Sequence, residues 1–223
     1  MQVKLYSSFI FYRLQTGFRQ LSPNVQMSAK QEFEDLISVQ HERSFIRTYM
    51  TTGICSNSDI MIWRMFPGIM KMQEMSSHVL KTGIGKWLDP VLSYLGVLSF
   101  DASDEKAAER EADIKFGRYP YMMIHPLEKN NAWHFLPTEE KEKLIKERKE
   151  VLSKYGNIHE TLFSSYGLDS QDYIVQREAE SATILEEATK ELRTLKNKEY
   201  TLSDSPVFFC IGRSLAEILD FIA

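Results

Sequence analysis

The sequence predicts a duplicated α+β fold: two ferredoxin-like βαββαβ units forming a dimeric α+β barrel within one chain. Three observations lead there. The order of strand-like and helix-like stretches in the first half recurs in the second. A fragment also rhymes between the halves: "TGICSNSDIMIW" and "YGLDSQDYIVQ" each run from a Gly turn to an Asp and an apolar strand. The chain has 223 residues, 43% of them hydrophobic and 26% charged, enough to bury a real core in one large domain or two fused small ones.

The first half opens with an alternating stretch over 3–14, a strand. In "SPNVQMSAKQEFEDLISVQHER", Ser28 and Gln31 have capping-box spacing, which predicts a helix beginning after Ser28. "SFIRTYMTT" and "SDIMIWRMF" are β-rich runs separated by "GICSN", a hairpin. "PGIMKMQEMSSHVLKTG" reads as a second helix, with Pro67 near its start and Gly83 as its stop, and "VLSYLGVLSF" closes the half as a strand. The acidic stretch over 101–116 is a linker or peripheral helix. "GRYPYMMIHP" then restarts the pattern as an extended segment. A helix capped by Thr138 and stopped by Gly156 follows, and "NIHETLFSS" and "QDYIVQREA" form a hairpin. "SATILEEATKELRTLKN" is a helix, "SPVFFCIGR" a closing strand, and "SLAEILDFIA" a short amphipathic helix. The expected organisation is a first half over 1–100, the linker, and a second half over 117–223, packed as one structural unit.

A net charge of −4 without a basic run argues against nucleic acid as a partner. No apolar stretch nears the roughly 20 residues of a membrane span, and the N-terminus lacks the long apolar run of a signal peptide, so the expected location is cytoplasmic. Cys55 and Cys210 fit neither a metal site nor a disulfide framework. His41, His78, His125, His134 and His159 include no pair at metal-site spacing, and no metal site is expected. The Met-rich run "MIWRMFPGIMKMQEM" reads as core filler. One residue is out of place: in the helix after Thr138, Leu144, Ile145, Val151, Leu152 and Tyr155 share a mean direction with Arg148.

The segments "SFIFYRL", "TYMTTGICSNSDIMIWRM", "KTGIGKWLDPVLSYLGV", "GRYPYMM", "AWHFLPTEEKEKLIKER", "SSYGLDSQDYIV" and "SPVFFCIGR" together resemble the chlorite dismutase family, which includes the coprohaem decarboxylases. The resemblance spans nearly the whole chain and rests on the ordered set rather than on one motif. It implies a dimeric α+β barrel, a homo-oligomer (commonly a pentamer), haem or coprohaem as cofactor, and oxidoreductase chemistry, peroxidase-like or decarboxylating. It also implies a proximal histidine near the end of the helix after Thr138. Counted from Trp133 that position is Arg148; counted back from "YGLDS" it is Glu147. Arginine has no lone pair for iron, and haem proteins use His, Cys, Met or Tyr. The distal position falls on Glu160, where the family has a donor. Tyr119 and Pro120 match a Tyr-Pro motif that handles porphyrin propionates, and the accompanying lysine maps to Met123 or His125.

The candidate residues are therefore Tyr119 and Glu160 for chemistry, and Arg148, Glu147, His125 and Trp133 for the pocket. His125 is the histidine to test as a replacement ligand or propionate contact. His159 alternates out of phase with Glu160 and faces elsewhere, Trp133 reads first as packing, and Lys141 snorkels to solvent. An inward guanidinium needs a partner, and Glu160 on the next strand is the expected one. Three readings stand together: a haem-dependent oxidoreductase, a haem-free protein holding a small anion or organic ligand, or a structural member whose pocket has closed.

Overall fold

The computed structural model describes residues 2–42, 44–101 and 119–223. The linker expected at 101–116 lies outside them, apart from Asp101. The chain divides into two compact units, residues 1–118 with 210–223, and residues 119–209. The last segment, expected in the second half, belongs to the first unit.

In the first unit the order is β1 (Gln2–Leu14), α1 (Pro23–His41), β2 (Phe45–Met50), β3 (Ile60–Phe66), α2 (Ile69–Val79) and β4 (Leu88–Asp101). Its antiparallel strands run β4–β1–β3–β2. In the second unit the order is β5 (Tyr121–Lys129), α3 (Asn131–Phe135), α4 (Thr138–Lys154), β6 (His159–Ser164), β7 (Tyr173–Ala179), α5 (Ala182–Leu192) and the short β8 (Thr201–Ser203). Here the strands run β6–β7–β5–β8, again antiparallel. β9 (Phe208–Gly212) follows; its Ile211 and Gly212 pair with Met50 and Tyr49 of β2, and α6 (Leu215–Ile222) ends the chain.

Two helix starts differ from expectation. α1 begins at Pro23, not after Ser28, because Pro23 at the first helical position tolerates its missing N–H there. Thr138 is the first residue of α4 rather than its cap; Pro137 holds the cap position. α6 does carry a full capping box, Ser214 with Glu217. Its Ile218, Leu219 and Ile222 pack with Phe33 and Ile37 of α1 and Ile60 and Ile62 of β3. Each such side chain, fully buried, contributes about 1.5–3 kcal/mol. The helix side of the second unit has smaller apolar clusters: Val151, Leu152, Ala188 and Leu192 in one, Met123, Ala179 and Leu185 in another.

The duplication extends to individual hydrogen bonds. Gly53 and Gly167 adopt φ of 76° and 79°, the left-handed turn that glycine alone enters without strain. After each turn an aspartate crosses to the first strand: Asp59 Oδ2 accepts from Leu14 N at 2.8 Å, and Asp172 Oδ2 accepts from Lys129 N at 2.6 Å. Gln15 N donates to Trp87 O at 2.9 Å, and Asn130 N to Tyr200 O at 3.1 Å. The β1–β3 ladder sets Ser8 opposite Arg64, and the β5–β7 ladder sets Met123 opposite Arg177. On this register His125 corresponds to Ile10, Leu127 to Tyr12, and Lys129 to Leu14.

Candidate functional site

α4 supplies the first residue of the site. Leu144, Val151 and Leu152 are buried on its inner side, with Arg148 in helical phase between them. Its guanidinium, 15% exposed, reaches β6, where Nε donates to Glu160 Oε1 at 2.8 Å and Nη2 donates to Oε2. Arg177 of β7 closes on the same carboxylate, Nε to Oε2 at 2.7 Å. Strand register brings these two together, since Glu160 and Arg177 lie directly opposite in the β6–β7 ladder. Arg177 Nη1 continues to Thr189 Oγ1 at 3.2 Å.

One carboxylate thus serves two guanidiniums, one of them in a two-point fork. Burial pushes the Glu160 carboxyl up, but the charges of Arg148 and Arg177 and their hydrogen bonds outweigh it and hold the pKa at about 2. Glu160 is accordingly an anion across the physiological range and a weak base. The pair leaves a surplus of positive charge.

That surplus faces a cavity of about 40 Å³ within the second unit. Lys129, Arg148, Arg177, Arg193 and Lys198 line it, with His125 among them and Asp204 as the acid of the lining, paired with Lys198 at 2.7 Å and Arg193 at 3.9 Å. Lys129 Nζ donates to Asn197 Oδ1 at 2.7 Å and sits 4.2 Å from the ring centroid of Trp133. Burial first, then the charge of Arg148, lowers its pKa to about 8. His125 is buried, and its Nδ1 lies 3.0 Å from the Pro126 carbonyl, which can only accept, so Nδ1 carries the proton and Nε2 the lone pair. Burial and the charge of Arg177 lower the pKa of His125 to about 4, so it is neutral at pH 7.

Of the residues singled out from the sequence, the fold brings Arg148 and His125 to the cavity and Glu160 onto two of its arginines. Trp133, 6% exposed, lies under the Lys129 ammonium as its packing partner. Tyr119 is outside the lining: its hydroxyl meets His159 Nε2 at 2.5 Å, with the rings stacked. Glu147 is exposed on α4. Sequence reasoning missed Arg177, Lys129, Arg193, Lys198 and Asn197. Arg177 left a signal: "IMIWRMF" and "YIVQREA" both place Arg fifth in the strand. Arg193, Asn197 and Lys198 come from a loop and a short 3-10 turn after α5, where no periodicity marks a side chain as inward.

Two α+β units with ferredoxin strand order, the second holding a helix-to-strand pocket, define a class of duplicated α+β proteins. Within that class, residues 26–213 match the family model described as chlorite dismutase. The chain belongs to the chlorite dismutase family. It is 25% identical over 210 residues to a coproheme decarboxylase of Staphylococcus carnosus, covering 84% of this chain and 83% of that protein. A coproheme decarboxylase of Mycolicibacterium smegmatis is 21% identical over 171 residues, covering 72% and 69%. Among solved structures, a heme-binding protein from Thermus thermophilus superposes with a TM-score of 0.89 at 16% identity, covering 100% and 96% of the two chains. The chlorite dismutase of Candidatus Nitrospira defluvii, in complex with imidazole, superposes at 0.86 with 20% identity, covering 98% and 94%. Among the described residues, no helix is long and apolar enough to cross a membrane.

The donor set at the α4 position does not fit haem. Arg148 offers no lone pair and its fork is committed to Glu160, while Glu147 is exposed. A cavity of about 40 Å³ has room for about three waters, far below a pocket for a drug-sized ligand.

Proposed function

We propose that this chain is a haem-free member of its family whose second-unit cavity binds a small anion, a carboxylate or an inorganic oxyanion. One observation supports this above the others. The residue that the resemblance puts at the iron-ligand position when counted from Trp133 is a guanidinium locked to Glu160, and with Arg177, Arg193, Lys129 and Lys198 it gives the cavity five cations against Asp204. Anionic oxygens accept from donors of this kind, and in a partly dry cavity those bonds are stronger than in water. The test is a calorimetric titration with formate and with nitrate, beside absorbance titrations with haem and coprohaem. Saturable anion binding that weakens in Lys198→Met, with no defined Soret band from either porphyrin, is the expected result. Stoichiometric porphyrin binding without anion binding would overturn it.

A second reading, a haem-dependent oxidoreductase, is favoured by His125. Its Nδ1–H is oriented by a backbone carbonyl, as in ligating histidines, and its Nε2 keeps a lone pair at neutral pH. A Soret band lost in His125→Ala would establish that reading. Assembly as a homo-oligomer, drawn from the family resemblance, and a cytoplasmic location are further parts of the proposal.

A further inference from the structure

The first unit shows which polar residues of the second unit the frame does not demand. Lys129 holds the place of Leu14, with the same backbone bond to an aspartate carboxylate. Leu14 is 3% exposed in the core of its unit, so this position folds with an apolar side chain. A lysine 7% exposed at the same place is costly unless its ammonium is satisfied or used. Satisfaction is partial. Of three N–H directions, Asn197 takes one and the Trp133 indole face covers another; among the described residues no acceptor takes the third. The charges that act on the amine are Arg148 and Lys198, with Asp172 opposing them. Arg177, Arg193 and His125, a neutral imidazole, line the same cavity, where Asp204 pairs with Lys198 at 2.7 Å and Arg193 at 3.9 Å. The cations outnumber the acids and can hold a carboxylate.

Resting on the anion-binding reading above, we propose that Lys129 is a reactive amine that condenses reversibly with a small 2-oxo acid, whose carboxylate the surrounding cations hold. The balance is simple. The neutral Nζ attacks the carbonyl carbon, a carbinolamine forms, and loss of water leaves the C=N bond of an imine. No electrons are exchanged and no co-reactant is needed. The protonated imine keeps its charge over the indole face, where the ammonium stood, so the cation–π contact survives the reaction. The cavity is small, and glyoxylate is the smallest acid of this class. The lowered basicity of Lys129 agrees with the proposal, since it raises the share of free amine at neutral pH.

The experiment is borohydride trapping of the full chain with glyoxylate at pH 7.5, read by peptide mass spectrometry. A carboxymethyl group should be found at Lys129, at least about tenfold above Lys141, the other lysine beside the same tryptophan. Formate should suppress that labelling. Lys129→Arg should abolish it, and Lys129→Leu, which copies the first unit, should abolish it in a folded protein. Labelling spread evenly over surface lysines, in a protein that binds formate, overturns the imine alone. If formate neither binds nor protects, the anion-binding reading falls, and this inference with it.

Discussion

The two units build one frame and treat its buried arginine in opposite ways. Arg64 in β3 faces Ile46 across the ladder, while Arg177 in β7 faces Glu160. The three guanidinium nitrogens of Arg64 are buried and have no hydrogen-bond partner among the described residues. Burial lowers the pKa of Arg64, and the Tyr12 hydroxyl beside it opposes that only in part. Arg177 instead shares a carboxylate with Arg148. The same contrast recurs at Ile10 and His125 and at Leu14 and Lys129. It teaches that the frame folds with apolar residues where the second unit has polar ones. At the positions of Ile10 and Leu14 the frame does not demand the polar side chains that the second unit carries.

Copying the first unit into the second is the most direct way to break this comparison. Glu160→Ile, which reproduces Ile46, leaves two neighbouring guanidiniums buried without an anion and should lower stability by about 3–5 kcal/mol in a urea melt. A loss near zero would mean that the second unit tolerates unpaired arginines as the first tolerates Arg64. His125→Ile acts through pH. The folded pKa of about 4 lies below the unfolded value of 6.5, so the unfolded chain binds the proton first. Stability is therefore lost as pH falls from about 6.5 to about 4, on the order of 3 kcal/mol, and the variant should lack that part of the loss. Glu160, depressed to about 2, has the acid-carboxylate sign: its contribution is complete above its unfolded pKa and disappears as pH falls towards 2, so both variants separate in an acid titration followed by circular dichroism.

Smaller effects sharpen the contrast. Arg64→Met should raise stability by about 1 kcal/mol or more, because an unpaired charge gives way to an apolar side chain of similar length. Lys129→Leu should change stability by no more than about 1 kcal/mol, since the lost cation–π contact is offset by the burial of a hydrocarbon where a charge stood. A loss several times larger would make Lys129 a structural residue and remove the reason to seek chemistry there.

Much of the frame was legible in the residues. Strand alternation, the paired Gly–Asp turns and the helical stripes recur because local periodicity decides which face is apolar, and both halves repeat it. Helix starts were less so: Ser28 resembles a cap, but Pro23 sets the first turn earlier. Arg148 and its acid could be anticipated because a guanidinium in an apolar stripe demands an anion from the next element. Arg177 as the second cation on Glu160 depends on strand register, and Lys129 in the cavity depends on the end of β5 and the turn that carries Asn197.

From composition and periodicity alone came a duplicated α+β chain with a misplaced arginine, because patterning along an element is local and survives in the order of residues. Tertiary structure alone decided that Glu160 serves two arginines, that five cations converge on a space for a few atoms, and that His125 keeps Nε2 bare. Those are distances between residues far apart in the chain, and only the closing of the second unit's helices over its strands brings them within reach of one another.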